Sequence, residues 1–256
     1  MKRESVIGVI PARYGSSRLP GKPLAQVAGR PLIEWVWQNS QKSSVDDLVV
    51  ATDDERIVDA VEKFGGKAMM TSSDHLTGTD RVAEAARNTD SDIVVCIQGD
   101  QPFLDPVMID ETIGPMLDDP TLMMGTLMHL IEGDDLLADT SVVKAVTALD
   151  GTALYFSRSL IPHPYGGQQM PVYEHIGLYS YRRKFLEKFT RWEPTPLELQ
   201  ESLEQLRALE HGVRMSCPET HCDDPELAGM SIDTLEDVAI AEAMLRERGY
   251  QWTVCI

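Results

Sequence analysis

Short β-branched runs alternate, through the first half of the chain, with stretches whose apolar residues recur every three or four positions. That alternation is the mark of βαβ units built around a mostly parallel sheet. Residues 5–11 read as the first strand, 31–42 as a helix, 47–52 as a strand and 67–71 as another. Between the last two, 54–64 reads as a helix with Ile57, Val58, Val61 and Phe64 on one face. A helix over 79–88 then leads into the strongly apolar strand 92–97, which Gln98-Gly99-Asp100-Gln101-Pro102 stops abruptly.

Beyond Met123 the rhythm changes. Segments 126–131, 142–149, 153–157 and 175–181 read as strands with fewer helices between them, which predicts a mixed or antiparallel portion of sheet. Helices return over 182–189, 201–211 and 235–248, the last opened by Thr234 with Asp237 three residues on as a capping box. The fold class is therefore α/β: a mostly parallel central sheet with helices on both faces and a mixed second half. No repeat, low-complexity tract or linker divides the 256 residues, so one domain over 1–256 is expected.

Composition narrows the setting. No apolar run approaches the length needed to cross a bilayer, and the first residues lead into a short strand without a signal-peptide core, so a cytoplasmic protein is expected. Cys96, Cys217, Cys222 and Cys255 are too few and too scattered for a disulfide framework and fit free thiols in a reducing compartment. A net charge of −18 makes nucleic acid and anionic membrane poor partners. Yet residues 1–30 carry Lys2, Arg3, Arg13, Arg18, Lys22 and Arg30 against Glu4 alone, which points to a small anionic ligand near the N-terminal loop.

The first strand runs into Pro11-Ala12-Arg13-Tyr14-Gly15-Ser16-Ser17-Arg18-Leu19-Pro20-Gly21-Lys22-Pro23. A loop of small residues at the carboxyl end of a strand lies where open α/β sheets bind ligands, and its backbone amides and three cations suit a triphosphate. It is not a Walker A loop: five residues separate Gly15 from Gly21, and Pro23 stands where a magnesium-binding hydroxyl would be needed. Asp100, closing an apolar strand, points into the same crevice and is a natural ligand for Mg²⁺, which takes one or two carboxylates plus phosphate oxygens. Asp233 would supply the second carboxylate. An aspartate just before a helix serves equally well as its cap, so both readings of Asp233 stand at this point.

The blocks IPARYGSSRLPGKPL, MTSSDHLTGTDRVAEAA (70–86), IQGDQPFLDP (97–106), KAVTALDGTALYFSRSLIP (144–162), EHIGLYSYRRKFL (174–186), PTPLELQESLEQLRALEHG (194–212) and IDTLEDV (232–238) together closely resemble the CMP-Kdo synthetases, the 3-deoxy-manno-octulosonate cytidylyltransferases. The first and third blocks recur among sugar nucleotidyltransferases, whereas ALYFSR, HIGLY and LEQLR in this order are far more specific. The resemblance implies a nucleotidyltransferase fold, a homodimer, CTP and the eight-carbon acidic sugar 3-deoxy-manno-octulosonate (Kdo) as substrates, and CMP-Kdo and pyrophosphate as products for lipopolysaccharide synthesis. It implies Mg²⁺ held by Asp100 and Asp233, and CTP held by Arg13, Ser17, Arg18, Lys22, Asp74, Thr77, Gly78 and Gln98. Arg158, His175, Tyr179, Glu204 and Gln205 match positions that grip the sugar acid. Residues 1–122 are then mainly the CTP-binding portion, and 123–256 mainly the sugar-binding and dimerisation portion.

The residue chemistry agrees with that division: Arg158 offers a fork for a carboxylate, and Tyr179 and Gln205 offer hydrogen bonds to hydroxyls. In-line attack by the anomeric hydroxyl on the α-phosphorus needs positioning and charge neutralisation rather than a protein nucleophile, which casts Lys22, Arg18, Asp100 and Asp233 as the catalytic set. Two departures stand out: Gln101 where the family commonly has Glu, and the segment 216–230 in place of a shorter glycine-rich approach. Alternatives are another acid, such as 8-amino-Kdo, another ulosonic acid or a phosphonate, and a non-catalytic CTP-binding protein that kept the fold. Cys217, His221, Cys222 and Asp223 fit no structural zinc spacing and read as an acidic surface loop.

Overall fold

The computed structural model describes residues 3–16, 18–167 and 170–249. They form two compact units: one runs to Asp110 and resumes at Cys222, and the other spans Glu111–His221.

In the first unit, β1 (Val6–Ala12) is buried along its length except at Pro11. A loop leads to a small hairpin, β2 (Gln26–Val27) with β3 (Arg30–Pro31), and to α1 (Leu32–Ser40). Then come β4 (Asp47–Thr52), α2 (Glu55–Lys63), β5 (Ala68–Met70), α3 (Gly78–Arg87) and β6 (Ile93–Cys96). The order β6-β1-β4-β5 is parallel throughout. Strands covered on both faces by crossover helices must be apolar on both faces, which is why β1, β4 and β6 read as unbroken apolar runs instead of alternating.

Helix α4 (Pro106–Asp118), absent from the sequence reading, carries the chain into the second unit. Gly114 and Pro115 read as helix breakers, yet Met108, Ile109, Thr112, Ile113 and Met116 are all buried at helical spacing and hold it together. The second unit contains β7 (Met124–Leu130), β8 (Lys144–Thr147), β9 (Ala153–Ser157), β10 (Tyr173–Arg182), α5 (Arg183–Phe189), α6 (Pro196–Glu201), α7 (Gln205–Glu210) and β11 (Met215–Ser216). Here β10 runs antiparallel to both β7 and β8, β8 runs antiparallel to β9, and β11 is parallel to β7, the mixed arrangement expected.

One helix is corrected. The pattern over 201–211 predicts a continuous helix, but Ser202 adopts φ 56° and ψ 50° and ends α6, so α7 starts anew at Gln205. Buried Leu203 lies in the break, its amide bonded back to the Glu198 carbonyl at 3.2 Å.

The chain re-enters the first unit through α8 (Pro225–Ala228) and α9 (Leu235–Glu247). Ile232, Ala241 and Leu245 join Leu19, Val27, Ala28, Leu32, Trp35 and Phe103 in one apolar cluster. That cluster ties the end of the chain to the loop after β1.

Candidate active site

The loop after β1 is shaped by Gly21, whose φ of +70° places it in the left-handed region, and by the turn that Lys22 and Pro23 begin. The amides of Gly21 and Ser16 both donate to the Tyr14 carbonyl at 3.0 Å, and Lys22 N donates to the Leu19 carbonyl at 3.0 Å. Gly99, just beyond β6, lies so close to the end of β1 that a Cβ would stand 2.6 Å from the Pro11 carbonyl oxygen. Only glycine allows this approach, which brings Asp100 beside the loop.

Asp233 arrives from the other end of the chain. Ile232 is fully buried in the cluster just described, and its amide donates to the Asp100 carbonyl at 2.9 Å. The cap of α9 is made by other groups: Thr234 Oγ1 accepts from Asp237 N at 3.2 Å, and Asp237 Oδ2 accepts from the amides of Asp233 and Thr234 at 2.9 and 2.8 Å. The amide donated by Asp233 holds the Asp237 carboxyl below the usual carboxylate range. With the capping done by its neighbours, the Asp233 side chain faces the cationic loop. Lys22 Nζ donates to Asp100 Oδ2 at 2.8 Å and to Asp233 Oδ1 at 2.9 Å, and Arg18 Nη2 lies 3.0 Å from Asp233 Oδ2.

These groups line a cleft of about 420 Å³, and Arg13, Thr77, Gly78 and Gln98 line it with them. Thr77 caps α3: its Oγ1 accepts from Asp80 N, and its amide donates to Asp80 Oδ2, both at 3.1 Å. The positive end of that helix therefore opens on the cleft. Asp74 is exposed and outside the cleft lining, its amide bonded to Ser72 Oγ at 3.1 Å. Ser17 lies outside the described residues.

Two ionisable lining residues escaped the sequence reading. Arg81 is 3% exposed, donates to Thr71 Oγ1 at 2.6 Å and to Asp53 Oδ2 at 2.8 Å, and Asp53 Oδ1 in turn accepts the Tyr14 amide at 3.4 Å. This chain of bonds pins the start of the cationic loop to the residue that follows β4 and to α3. The signal was an arginine one helical turn before buried Ala85, on the apolar face of α3. His75, paired with Glu84, is the other.

The hard oxygen donors of Asp100 and Asp233 converge on one cation, the Lys22 ammonium, each within 3 Å. Two such carboxylates are the donor type that Mg²⁺ accepts alongside phosphate oxygens and water. Gln101 Oε1 is buried with no partner among the described residues, so a glutamate there would bury a charge in its place, and the amide costs less desolvation.

In the second unit, His175 meets Phe156 edge-on at 4.8 Å and Tyr179 at 5.5 Å between ring centres. Thr126 Oγ1 donates its only proton to the Ile176 carbonyl at 2.9 Å, so it accepts from His175 Nε2–H, also at 2.9 Å. Nδ1 is then the lone-pair side, facing the Gln205 amide nitrogen at 3.5 Å. Burial pushes the His175 pKa down to about 3, in keeping with this neutral tautomer. Gln205 is itself 3% exposed, and Glu204 precedes it at the start of α7.

The Arg158 guanidinium, expected to offer a fork to a carboxylate, meets backbone carbonyls in this chain. It donates to the carbonyls of Glu201, Thr140 and Ser202 at 2.7, 2.9 and 3.4 Å. Nearby, fully buried Lys144 donates to the Asp139, Val142 and Arg158 carbonyls at 2.5, 2.9 and 3.4 Å. Among the segment's sulfur and imidazole groups, Cys217 is fully buried, His221 Nδ1 sits 2.9 Å from Glu111 Oε1, and Cys222 Sγ donates toward Asp105 Oδ2 at 3.7 Å.

A parallel α/β unit with a cationic glycine loop and two carboxylates at the strand ends defines the class of nucleotidyltransferases. A family model described as cytidylyltransferase matches residues 7–215. The 3-deoxy-manno-octulosonate cytidylyltransferase of Myxococcus xanthus is 49% identical over 246 residues, covering 95% of this chain and 97% of that protein. Its namesake in Geotalea daltonii is 45% identical over 256 residues, covering 95% and 99%. A solved structure of CMP:2-keto-3-deoxy-manno-octonic acid synthetase complexed with CTP matches with a TM-score of 0.89 and 39% identity, over 95% of this chain and 99% of that one. The chain belongs to the cytidylyltransferase family, and within it to the 3-deoxy-manno-octulosonate cytidylyltransferases.

Proposed function

We propose that the chain transfers CMP from CTP to the anomeric hydroxyl of Kdo, releasing pyrophosphate, with Mg²⁺ as cofactor. The observation that carries this reading is the meeting of Lys22, Asp100 and Asp233 at the strand ends, 2.8 and 2.9 Å apart, from three distant parts of the sequence.

Arg13, Arg18 and Lys22 are the groups that neutralise and orient the triphosphate, assisted by the amide-rich end of α3. Asp100 and Asp233 would hold Mg²⁺, which supplies charge neutralisation at the phosphate oxygens and lowers the pKa of a nearby hydroxyl. Tyr179, Glu204 and Gln205 take the sugar acid, with neutral His175 fixing Gln205. Arg158 belongs to the same sugar-acid set, and its guanidinium meanwhile fastens the 140 and 201–202 backbone. No side chain need become a covalent carrier, because positioning and charge stabilisation supply the catalysis. Work in the cytoplasm, as a homodimer and in lipopolysaccharide synthesis, belongs to the same proposal, supported by the family. Among the described residues no helix is long and apolar enough to cross a membrane.

Pyrophosphate release with CTP and a panel of acids (Kdo, 8-amino-Kdo, other ulosonic acids and phosphonates) tests the reading. Turnover is expected with Kdo, and none with any Kdo-like acid would overturn it. Asp100→Ala is expected to abolish Mg²⁺-dependent turnover while leaving the circular-dichroism spectrum unchanged. Near-normal activity would remove the metal assignment.

A further inference from the structure

Lys22 occupies the place between the carboxylates where a cation belongs. Its Nζ is within hydrogen-bond distance of both Asp100 and Asp233, the side chain is only 16% exposed, and Arg18 balances the remaining charge on Asp233. Two carboxylates facing two cations leave no net charge to draw a divalent ion. Mg²⁺ gives up its water reluctantly, so a pre-neutralised pair competes poorly for it.

We propose that Lys22 is a resident counter-ion for the metal-binding carboxylates, and that metal enters only as the ammonium leaves them for the nucleotide's phosphates. This rests on the proposed nucleotide chemistry for the anion that receives the ammonium. The backbone favours such an exchange. Lys22 N and O are both fixed, to Leu19 O and by Ala25 N at 3.0 Å each, and Pro23 follows, so only the side chain has to swing. The ion pairs are partly open to solvent, with 29% and 28% exposure at the two aspartates, which keeps the ammonium exchangeable rather than locked. The device makes nucleotide and metal binding mutually reinforcing, since each removes what opposes the other.

The test is the affinity of the nucleotide-free protein for Mn²⁺, read from the electron paramagnetic resonance signal of the free ion. Lys22→Met is expected to bind Mn²⁺ about tenfold more tightly than the natural chain, the scale set by loss of two part-exposed ion pairs. Lys22→Arg, which keeps the charge, is expected to stay within about twofold of the natural chain. Adding Asp100→Asn to Lys22→Met is expected to erase the gain. No gain in Lys22→Met, or a gain that survives Asp100→Asn, overturns the proposal. Should Lys22→Met fail to fold, Arg18→Met is expected to tighten Mn²⁺ about twofold to threefold, and no tightening there overturns it equally. Turnover of CTP and Kdo by the natural chain is measured alongside. Its absence would remove the proposed reaction while the metal titration still decided the counter-ion role, and normal turnover with no gain in Lys22→Met would do the reverse.

Discussion

Asp233 and Asp237 lie four residues apart and do separate jobs. Asp237 satisfies two amides at the start of α9, whereas Asp233 presents its carboxylate to Lys22 and Arg18. Asp237→Ala should therefore cost about 1 kcal/mol of stability in denaturant melts, the usual worth of a cap. Asp233→Asn, which gives up two part-exposed ion pairs, should cost about 0.4–2 kcal/mol, yet lose turnover altogether. His175 offers a second test at this scale. Its native pKa is pushed down to about 3, well below the ordinary value near 6.5, so the unfolded chain binds the extra proton first. Stability is then complete above the unfolded value and is lost as pH falls from about 6.5 toward about 3, with a slope of up to about 1.4 kcal/mol per pH unit from this residue. Urea melts across that range should show a shallower dependence in His175→Gln than in the natural chain.

The break between α6 and α7 forces Ser202, a residue with a Cβ, into the left-handed region at φ 56°. Ser202→Gly should relieve that strain and raise stability by about 0.5–1 kcal/mol, measured by thermal or urea unfolding. This break shows why the sequence was legible in some elements and opaque in others. Strands β1, β4 and β6 were plain because burial on both faces writes itself as a run of Val, Ile and Leu. The capping box at Thr234 was equally local. By contrast, the periodicity over 201–211 continues across Ser202 because Leu203 and Leu206 are both buried, so nothing in the pattern marks the change of direction. Helix α4 was hidden by Gly114 and Pro115, whose breaking tendency is overridden by the buried face before them. In the site, the cationic loop and Asp100 could be read from their own neighbourhoods, but no local pattern distinguishes an aspartate that caps a helix from one that faces Lys22. For Arg158, residue type gives its fork but not the carbonyls it meets.

At the scale of the molecule, a net charge of −18 surrounds a cleft lined by Arg13, Arg18, Lys22 and Arg81. Binding that draws on those cations and on the paired carboxylates should stabilise the fold as a whole. At a hundred times its dissociation constant, CTP with Mg²⁺ should add about 2.7 kcal/mol. For a chain of this size that corresponds to a rise in melting temperature of roughly 5–10 °C, at about 2–4 °C per kcal/mol. Differential scanning fluorimetry should show a smaller rise with CTP and a chelator, and equal rises in both conditions would argue against metal at Asp100 and Asp233. The sequence separation of 211 positions between Lys22 and Asp233 also bears on how the molecule is made. A ribosome releases the cationic loop and Asp100 long before Asp233, while Leu19, Val27 and Trp35 wait for Ile232, Ala241 and Leu245 to cover them. A prematurely terminated chain is thus left with an uncovered apolar face, and with Lys22 and Asp100 lacking the carboxylate that completes their meeting point.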